Sequence, residues 1–417
     1  MSAPTGSAPV SGAARLRAVG PGLIIAATGV GAGDLVSSIV AGQRYGTALL
    51  WAIVIGVVLK YALTEGIARF YVASGRTILH GWYSMGRFVR GYFLVYLFLL
   101  AFVFGAAVTS ACGLAVSAMV GGPVWAWAVV HAVAGLAIVA LGRYGVFETV
   151  MKVFAGLVFV TVVALAALLT PDLGEIFSGF VPTLPDGSLL FALGLMGGIG
   201  ATLTLASYTY WIREREWRTP GWIPMIRLDL KVGYAVTGLF AMAMLIVGAA
   251  FLFGSDASIE DDEGLVALSD PLGERFGEAA RWLFLVGFWA TAFDSVIGSW
   301  NGFSYLFADY VRIARGRGER DDEGELSDRS PAFRLFLLWI TFPPMLLLFL
   351  GQPVLIVIVY AALGAVFLPF LAGTLLWLLN GDRVPREHRN GRFSNAVLAG
   401  AIVLFAVLAV QEIAGAL

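Results

Sequence analysis

Long unbroken apolar stretches, rather than alternating or amphipathic ones, dominate this chain. They fall near residues 20–42, 47–73, 92–119, 124–142, 148–170, 187–211, 231–254, 282–309, 335–350, 353–379 and 393–415. A helix needs about 20 apolar residues to cross roughly 30 Å of hydrocarbon, so the pattern predicts about eleven transmembrane helices. The expected fold class is an all-α integral membrane protein. Residues 1–19, rich in Ser, Ala, Pro and Gly, lack the charged flank and apolar core of a signal peptide and read as a disordered cytoplasmic tail.

Two of the stretches are interrupted in their middle. Gly29-Val30-Gly31-Ala32-Gly33-Asp34 puts three glycines and a carboxylate inside the first, and Gly197-Gly198-Ile199-Gly200-Ala201-Thr202-Leu203-Thr204 interrupts the sixth. A break at bilayer depth frees backbone groups that lipid cannot satisfy, so they must line protein or a water-filled cavity. Breaks five helices apart fit an inverted repeat of five plus five helices, with a site between the halves near the midplane. The division expected is 20–170 for the first repeat, 187–379 for the second and 393–415 for an additional eleventh span.

Composition agrees with a lipid-solvated chain: 59% hydrophobic residues, 13% charged and a mean hydropathy of +0.85. The net charge of -1 hides an uneven distribution. Arg15, Arg17, Arg76, Arg87, Arg90, Arg143, Arg213, Arg215, Arg218 and Arg227, and the segments 312–334 and 383–392, all fall on one side of the predicted topology. Asp172, Glu175, Asp186 and the acidic run 256–263 fall on the other. The positive-inside rule then places the amino terminus in the cytoplasm and the carboxy terminus outside; the expected location is the plasma (cell inner) membrane. A single cysteine, Cys112, excludes internal disulfides and multi-cysteine metal clusters. No nucleic-acid partner and no cofactor is expected; the bilayer is the expected environment.

Gly20-Pro21-Gly22-Leu23, followed by Ala41-Gly42-Gln43-Arg44-Tyr45-Gly46-Thr47-Ala48-Leu49-Leu50-Trp51, resembles the first span of the Nramp family of divalent metal transporters. Pro182 to Ser188, ahead of Ile199-Gly200-Ala201-Thr202, resembles its sixth. Weaker echoes stand at Phe147-Glu148, Ile226-Arg227-Leu228-Asp229, Ser295-Val296-Ile297-Gly298 and Leu368-Pro369-Phe370. The resemblance implies a LeuT-type fold with helices one and six broken. It also exposes departures. Where the family has Asp-Pro-Gly-Asn, whose Asp and Asn bind metal, this chain has Gly31-Ala32-Gly33-Asp34. The family's Met-Pro-His in the sixth span is Thr204-Leu205-Ala206, and its acidic residues on the third span have no counterpart between Tyr92 and Val120.

What remains is a sulfur-free, oxygen-rich set. Asp34, the hydroxyls of Thr202 and Thr204, and the freed carbonyls of Thr28 and Ala201 suit a hard cation such as Mg²⁺ or partly hydrated Mn²⁺. Ser207, Gly31 and Asp294 complete the expected substrate site. Asp34 also has a plainer reading as the cap of a half-helix, accepting from the amides of Val36 or Ser37. Asp294, a second mid-span carboxylate, reads either as a ligand or as the partner of a buried cation. Glu65 and Arg69 read as a helix-face pair. Lys60 lies deeper, available to a carboxylate or a gate, and His131 reads as a packed polar residue. Asp229 and Lys231 read as anchors at the inner end of span seven.

The function expected is secondary transport or facilitated movement of a divalent metal by alternating access, with weak or no proton coupling. A small organic cation or amino acid is the alternative cargo, with Tyr208, Tyr210 and Trp211 as its apolar contacts. A remote alternative is an intramembrane aspartyl protease, because Gly31-Ala32-Gly33-Asp34 fits Gly-x-Gly-Asp and Asp294 offers a second carboxylate. A binding-only sensor on the same fold is a third.

Overall fold

The structure is a computed structural model. It describes residues 18–29, 32–141, 144–169, 173–198, 200, 202–254, 264, 266, 268–316, 326–349 and 353–416, with side chains left out at 32–34, 36, 190, 198, 353–362, 364, 365, 408, 409 and 411–416. The expected tail at 1–17 lies outside these residues.

The described chain is helical throughout. Span one is two helices, α1 (Pro21–Gly29) and α2 (Ala32–Tyr45). Then come α3 (Leu50–Ser74), the short α4 (Ile78–Ser84), α5 (Arg87–Val120), α6 (Val124–Leu141) and α7 (Tyr144–Leu168). A short α8 (Leu173–Ser178) precedes span six, again two helices, α9 (Leu189–Gly198) and α10 (Thr204–Glu214). The chain continues as α11 (Ile223–Leu252), α12 (Ser269–Phe276), α13 (Glu278–Ala314), α14 (Pro331–Thr341), α15 (Met345–Leu348), α16 (Pro353–Asn380) and α17 (Arg392–Ala416). Both interruptions therefore fall where the glycine runs place them.

Several boundaries differ from the apolar pattern, for identifiable reasons. Span seven begins at Ile223 rather than near 231, because Pro224 starts a helix without needing its missing N–H. Arg227 and Asp229 thereby become helical. Span nine begins at Pro331, where Ser330 Oγ accepts from the Phe333 amide, and it divides into α14 and α15 around Pro343-Pro344. Span eight is longer than its apolar stretch: α13 runs 37 residues and carries polar groups along a buried face.

α13 is also the axis of the bundle. Of its apolar window 78% is buried, against 28% for α6, which lies at the periphery. The two halves of span one pack on α11 at backbone distance. A Cβ on Gly22 would stand 2.2 Å from the Asp229 carbonyl, one on Gly233 2.1 Å from the Gly22 carbonyl, and one on Gly248 2.2 Å from the Ile39 carbonyl. In a bilayer, where apolar side chains gain nothing by leaving lipid, such close contact is what holds helices together.

Candidate functional site

The site is assembled where α1 and α9 end. α1 enters from the arginine-rich end of the bundle and α9 from the opposite end, so two helix carboxy termini converge near the middle. The last carbonyls of each lack intrahelical partners and carry the negative end of the helix dipole, an arrangement that attracts cations. Glycine makes the second break possible: Gly200 has φ +80, which other residues adopt only with strain. Thr202 follows in a bend and is half-buried, and Thr204 opens α10 and is buried.

α13 forms the wall behind both breaks through a face of small and polar residues at intervals of four: Asp294, Gly298 and Gly302. At Gly298 the helix approaches α1 so closely that a Cβ would stand 1.9 Å from Thr28 Oγ1. At Gly302 a Cβ would stand 2.6 Å from Ser207 Oγ on α10. Ser295 Oγ donates to the Thr291 carbonyl at 3.0 Å and reaches the Thr28 carbonyl at 3.5 Å. Asp294 is 1% exposed, and its Oδ2 has no hydrogen-bond partner among the described residues. Thr28 Oγ1, Ser207 Oγ and Ser299 Oγ are buried and equally unpartnered among them. Desolvated oxygens with spare lone pairs are costly unless something occupies or orients them.

Of the expected site residues, Thr28 and Ser207 pack on α13 against Gly298 and Gly302, and Asp294 lies on the same helix face one and two turns away. Thr202 and Thr204 stand at the second break beside them. Gly31 and Ala201 lie outside the described residues, and so does the side chain of Asp34, together with its cap reading. Among the described residues no group of three His, Cys, Asp or Glu is placed to hold a metal. The donor set there is hydroxyls, carbonyls and one carboxylate. Sequence reasoning missed the contribution of Gly298, Ser299 and Gly302; the signal was present as a small residue every fourth position.

The arginine-rich end is closed by a second buried network. Asp229, fully buried, accepts from the amides of Gly20 (2.9 Å) and Gly22 (2.6 Å) and from the Tyr208 hydroxyl (2.7 Å). One carboxylate thus ties α11 to the start of α1 and to α10. It does more than anchor its own helix, as the sequence suggests; Lys231 is exposed. Asp309 on α13 accepts from Tyr210 (2.9 Å), Thr77 (2.6 Å) and Arg312 (3.0 and 2.9 Å). The aromatic residues read as contacts for an organic cargo therefore spend their polar atoms elsewhere: Tyr208 and Tyr210 on these aspartates, and Trp211 Nε1 on Asn301 at 2.9 Å.

The remaining polar candidates resolve simply. Glu65 pairs with Arg69 at 3.1 Å as its i+4 spacing suggests, and also with Arg227 at 2.8 Å. Lys60, fully buried, places Nζ 6.0 Å from the Phe405 ring centroid. His131 Nδ1 lies 2.7 Å from the Trp127 carbonyl, and the Trp289 indole donates to Nε2 at 2.8 Å. Donation from Nδ1–H is the one assignment that satisfies both contacts, so His131 is a packed polar residue.

Paired breaks around a central helix define a membrane protein of the LeuT-type, broken-helix class. The chain matches the family described as "Natural resistance-associated macrophage protein-like" over residues 22–415, and it belongs to this Nramp family. It is 27% identical over 300 residues to the divalent metal cation transporter MntH of Deinococcus radiodurans, covering 68% of this chain and 67% of that one. The crystal structure of an Eremococcus coleocola manganese transporter superposes with a TM-score of 0.82 at 18% identity, over 99% of this chain and 90% of that one. A Na⁺-coupled sialic acid symporter superposes more loosely, at 0.56 and 15% identity, over 94% and 89%.

Proposed function

We propose that the protein moves a divalent metal cation across the plasma membrane by alternating access around the broken helices α1–α2 and α9–α10. The observation that carries this reading is the set of buried, unpartnered oxygens of Thr28, Ser207 and Asp294, spread along the face of α13 that backs the two breaks in a chain of the Nramp family. Asp34, Thr204, Thr28 and Ala201 are the proposed metal ligands. Thr202, Ser207, Gly31 and Asp294 complete the substrate site. Oxygen donors without sulfur favour a hard ion, Mg²⁺ or partly hydrated Mn²⁺, over softer metals. Mg²⁺ keeps several of its waters, so few protein ligands suffice. Weak or no proton coupling follows from the absence of acidic residues between Tyr92 and Val120. The amino terminus is proposed inside and the carboxy terminus outside, with repeats 20–170 and 187–379 and 393–415 appended.

The protease reading is not favoured, because the chain belongs to the Nramp family and relatives such as MntH of Deinococcus radiodurans are named divalent metal cation transporters. The organic-cation reading weakens because Tyr208, Tyr210 and Trp211 are packed inside the protein, with 0%, 1% and 0% exposure.

The test is uptake into proteoliposomes with a competition panel of Mg²⁺, Mn²⁺, Fe²⁺ and small amines. Mg²⁺ or Mn²⁺ is expected to be carried and amines excluded. Asp294→Asn is expected to weaken apparent metal affinity on the order of tenfold, since ligand charge tunes cation affinity, and Asp34→Ala to abolish uptake. Uptake of amines alone, or full uptake by both variants, would sink the proposal.

A further inference from the structure

A cavity of about 860 Å³ opens at the arginine-rich end of the bundle, between the end of α3, the short α4 and the turn that follows α16. No residue of α1, α2, α9 or α10 lines it, so it is separate from the cargo site. Its wall carries Arg76, His80 and Arg383, the hydroxyls of Ser74 and Ser84, and Asp382.

The charges do not cancel. Asp382 is matched by Arg389, whose Nη2 donates to its Oδ1 at 2.6 Å. Ser74 Oγ donates to the Phe70 carbonyl and Ser84 Oγ to the Gly81 carbonyl, each at 2.7 Å, so neither hydroxyl proton is spare. Arg76 and Arg383 remain as cationic donors, both exposed and with no carboxylate within ion-pair distance among the described residues. Backbone geometry presents Arg76: α3 ends at Gly75, φ +68, whose amide caps the Tyr71 carbonyl with open space around it. Arg383 is presented by stacking, its guanidinium 3.5 Å from the centroid of the Trp377 ring. Trp377 is 42% exposed near the end of α16, and Phe393 79% exposed at the start of α17. Exposed aromatics at helix ends mark the depth of the headgroups.

We propose that this cavity binds the phosphate of an anionic lipid headgroup in the adjoining leaflet, with Arg76 and Arg383 as its clamp. Guanidinium forks match phosphate oxygens in pairs. Basic pockets at the cytoplasmic ends of transmembrane helices hold anionic headgroups in the same way. The volume lies within the usual range for a small-ligand pocket, about 300–1,000 Å³.

The experiment is native mass spectrometry of the intact purified protein titrated with phosphatidylglycerol, phosphatidylcholine or inorganic phosphate. Thermal unfolding of each variant confirms that it is folded. Phosphatidylglycerol is expected to be retained over phosphatidylcholine. The double variant Arg76→Gln/Arg383→Gln is expected to reduce its retention on the order of tenfold, whereas Arg386→Gln, an exposed arginine outside the cavity, leaves it unchanged. Binding of inorganic phosphate, lost in the double variant and without lipid preference, keeps the phosphate site and assigns it a soluble ligand. Equal retention of both lipids without phosphate binding, or an equal loss with Arg386→Gln, overturns the proposal.

Discussion

Gly298→Ala is expected to lower metal uptake by at least about tenfold while the protein still folds and inserts, because a misplacement of about 1 Å at a binding centre costs on the order of a hundredfold. The added Cβ would stand 1.9 Å from Thr28 Oγ1, 2.6 Å from its Cγ2 and 2.7 Å from its Cβ. Thr28 is β-branched and stiff at χ1, so it cannot swing clear; contact near 3.5–4.0 Å is restored only by moving the end of α1 outward. That movement carries the Thr28 carbonyl away from the Ser295 hydroxyl and from any ion held between the breaks. Overpacking of this kind costs about 1–3 kcal/mol, too little to unfold a bundle of this size. Gly156→Ala is the control, because nothing lies within 4 Å of its Cβ position; it should be silent. Adding Thr28→Ala to Gly298→Ala removes the two closest contacts but leaves Cβ facing Cβ at 2.7 Å, so it should restore only part of the uptake. Undiminished uptake by Gly298→Ala would mean that α1 does not pack on α13 during transport.

The breaks were legible because glycine, unlike any other residue, announces itself in a membrane stretch, and the structure interrupts the helices at both. Glu65 with Arg69 was legible because a helix brings i and i+4 together. The rest of that cluster was not: Arg227 lies 162 residues beyond Glu65. Asp229 was readable as the anchor of its own helix, but its partners Gly20 and Gly22 are backbone amides more than 200 residues earlier. An amide has no side chain to advertise it. Asp294 stood out as a carboxylate in an apolar run, while of the glycines that bring Thr28 and Ser207 against its helix Gly298 counted only as part of a family echo and Gly302 was not singled out. The proline pair that divides span nine was visible, yet its apolar flanks suggested one continuous helix.

Asp229→Ala is expected to be the most damaging single change at the arginine-rich end. It removes one acceptor from three donors, the Gly20 and Gly22 amides and the Tyr208 hydroxyl, in a place where Asp229 is fully buried. Each buried donor left unsatisfied costs about 1–3 kcal/mol, so the sum is several kcal/mol. Asp229→Asn does not restore the network, since the amide keeps one acceptor oxygen and turns N–H groups towards a site that already supplies only donors. Both variants should lose most folded protein in size-exclusion chromatography, or survive with the start of α1 detached. The two outcomes differ in a measurable way. A cysteine placed at Val19, 6% exposed in the wild type, should become reactive to a water-soluble maleimide once α1 is released; Cys112, buried in α5, should stay unreactive unless the whole bundle opens. Tyr208→Phe deletes one donor and leaves Asp229 with two, so its cost should be near 1 kcal/mol. If Asp229→Ala instead unfolds at the wild-type temperature with the cysteine at position 19 still protected, the contact does not fasten α1, and the closure of this end lies with Asp309 and its partners.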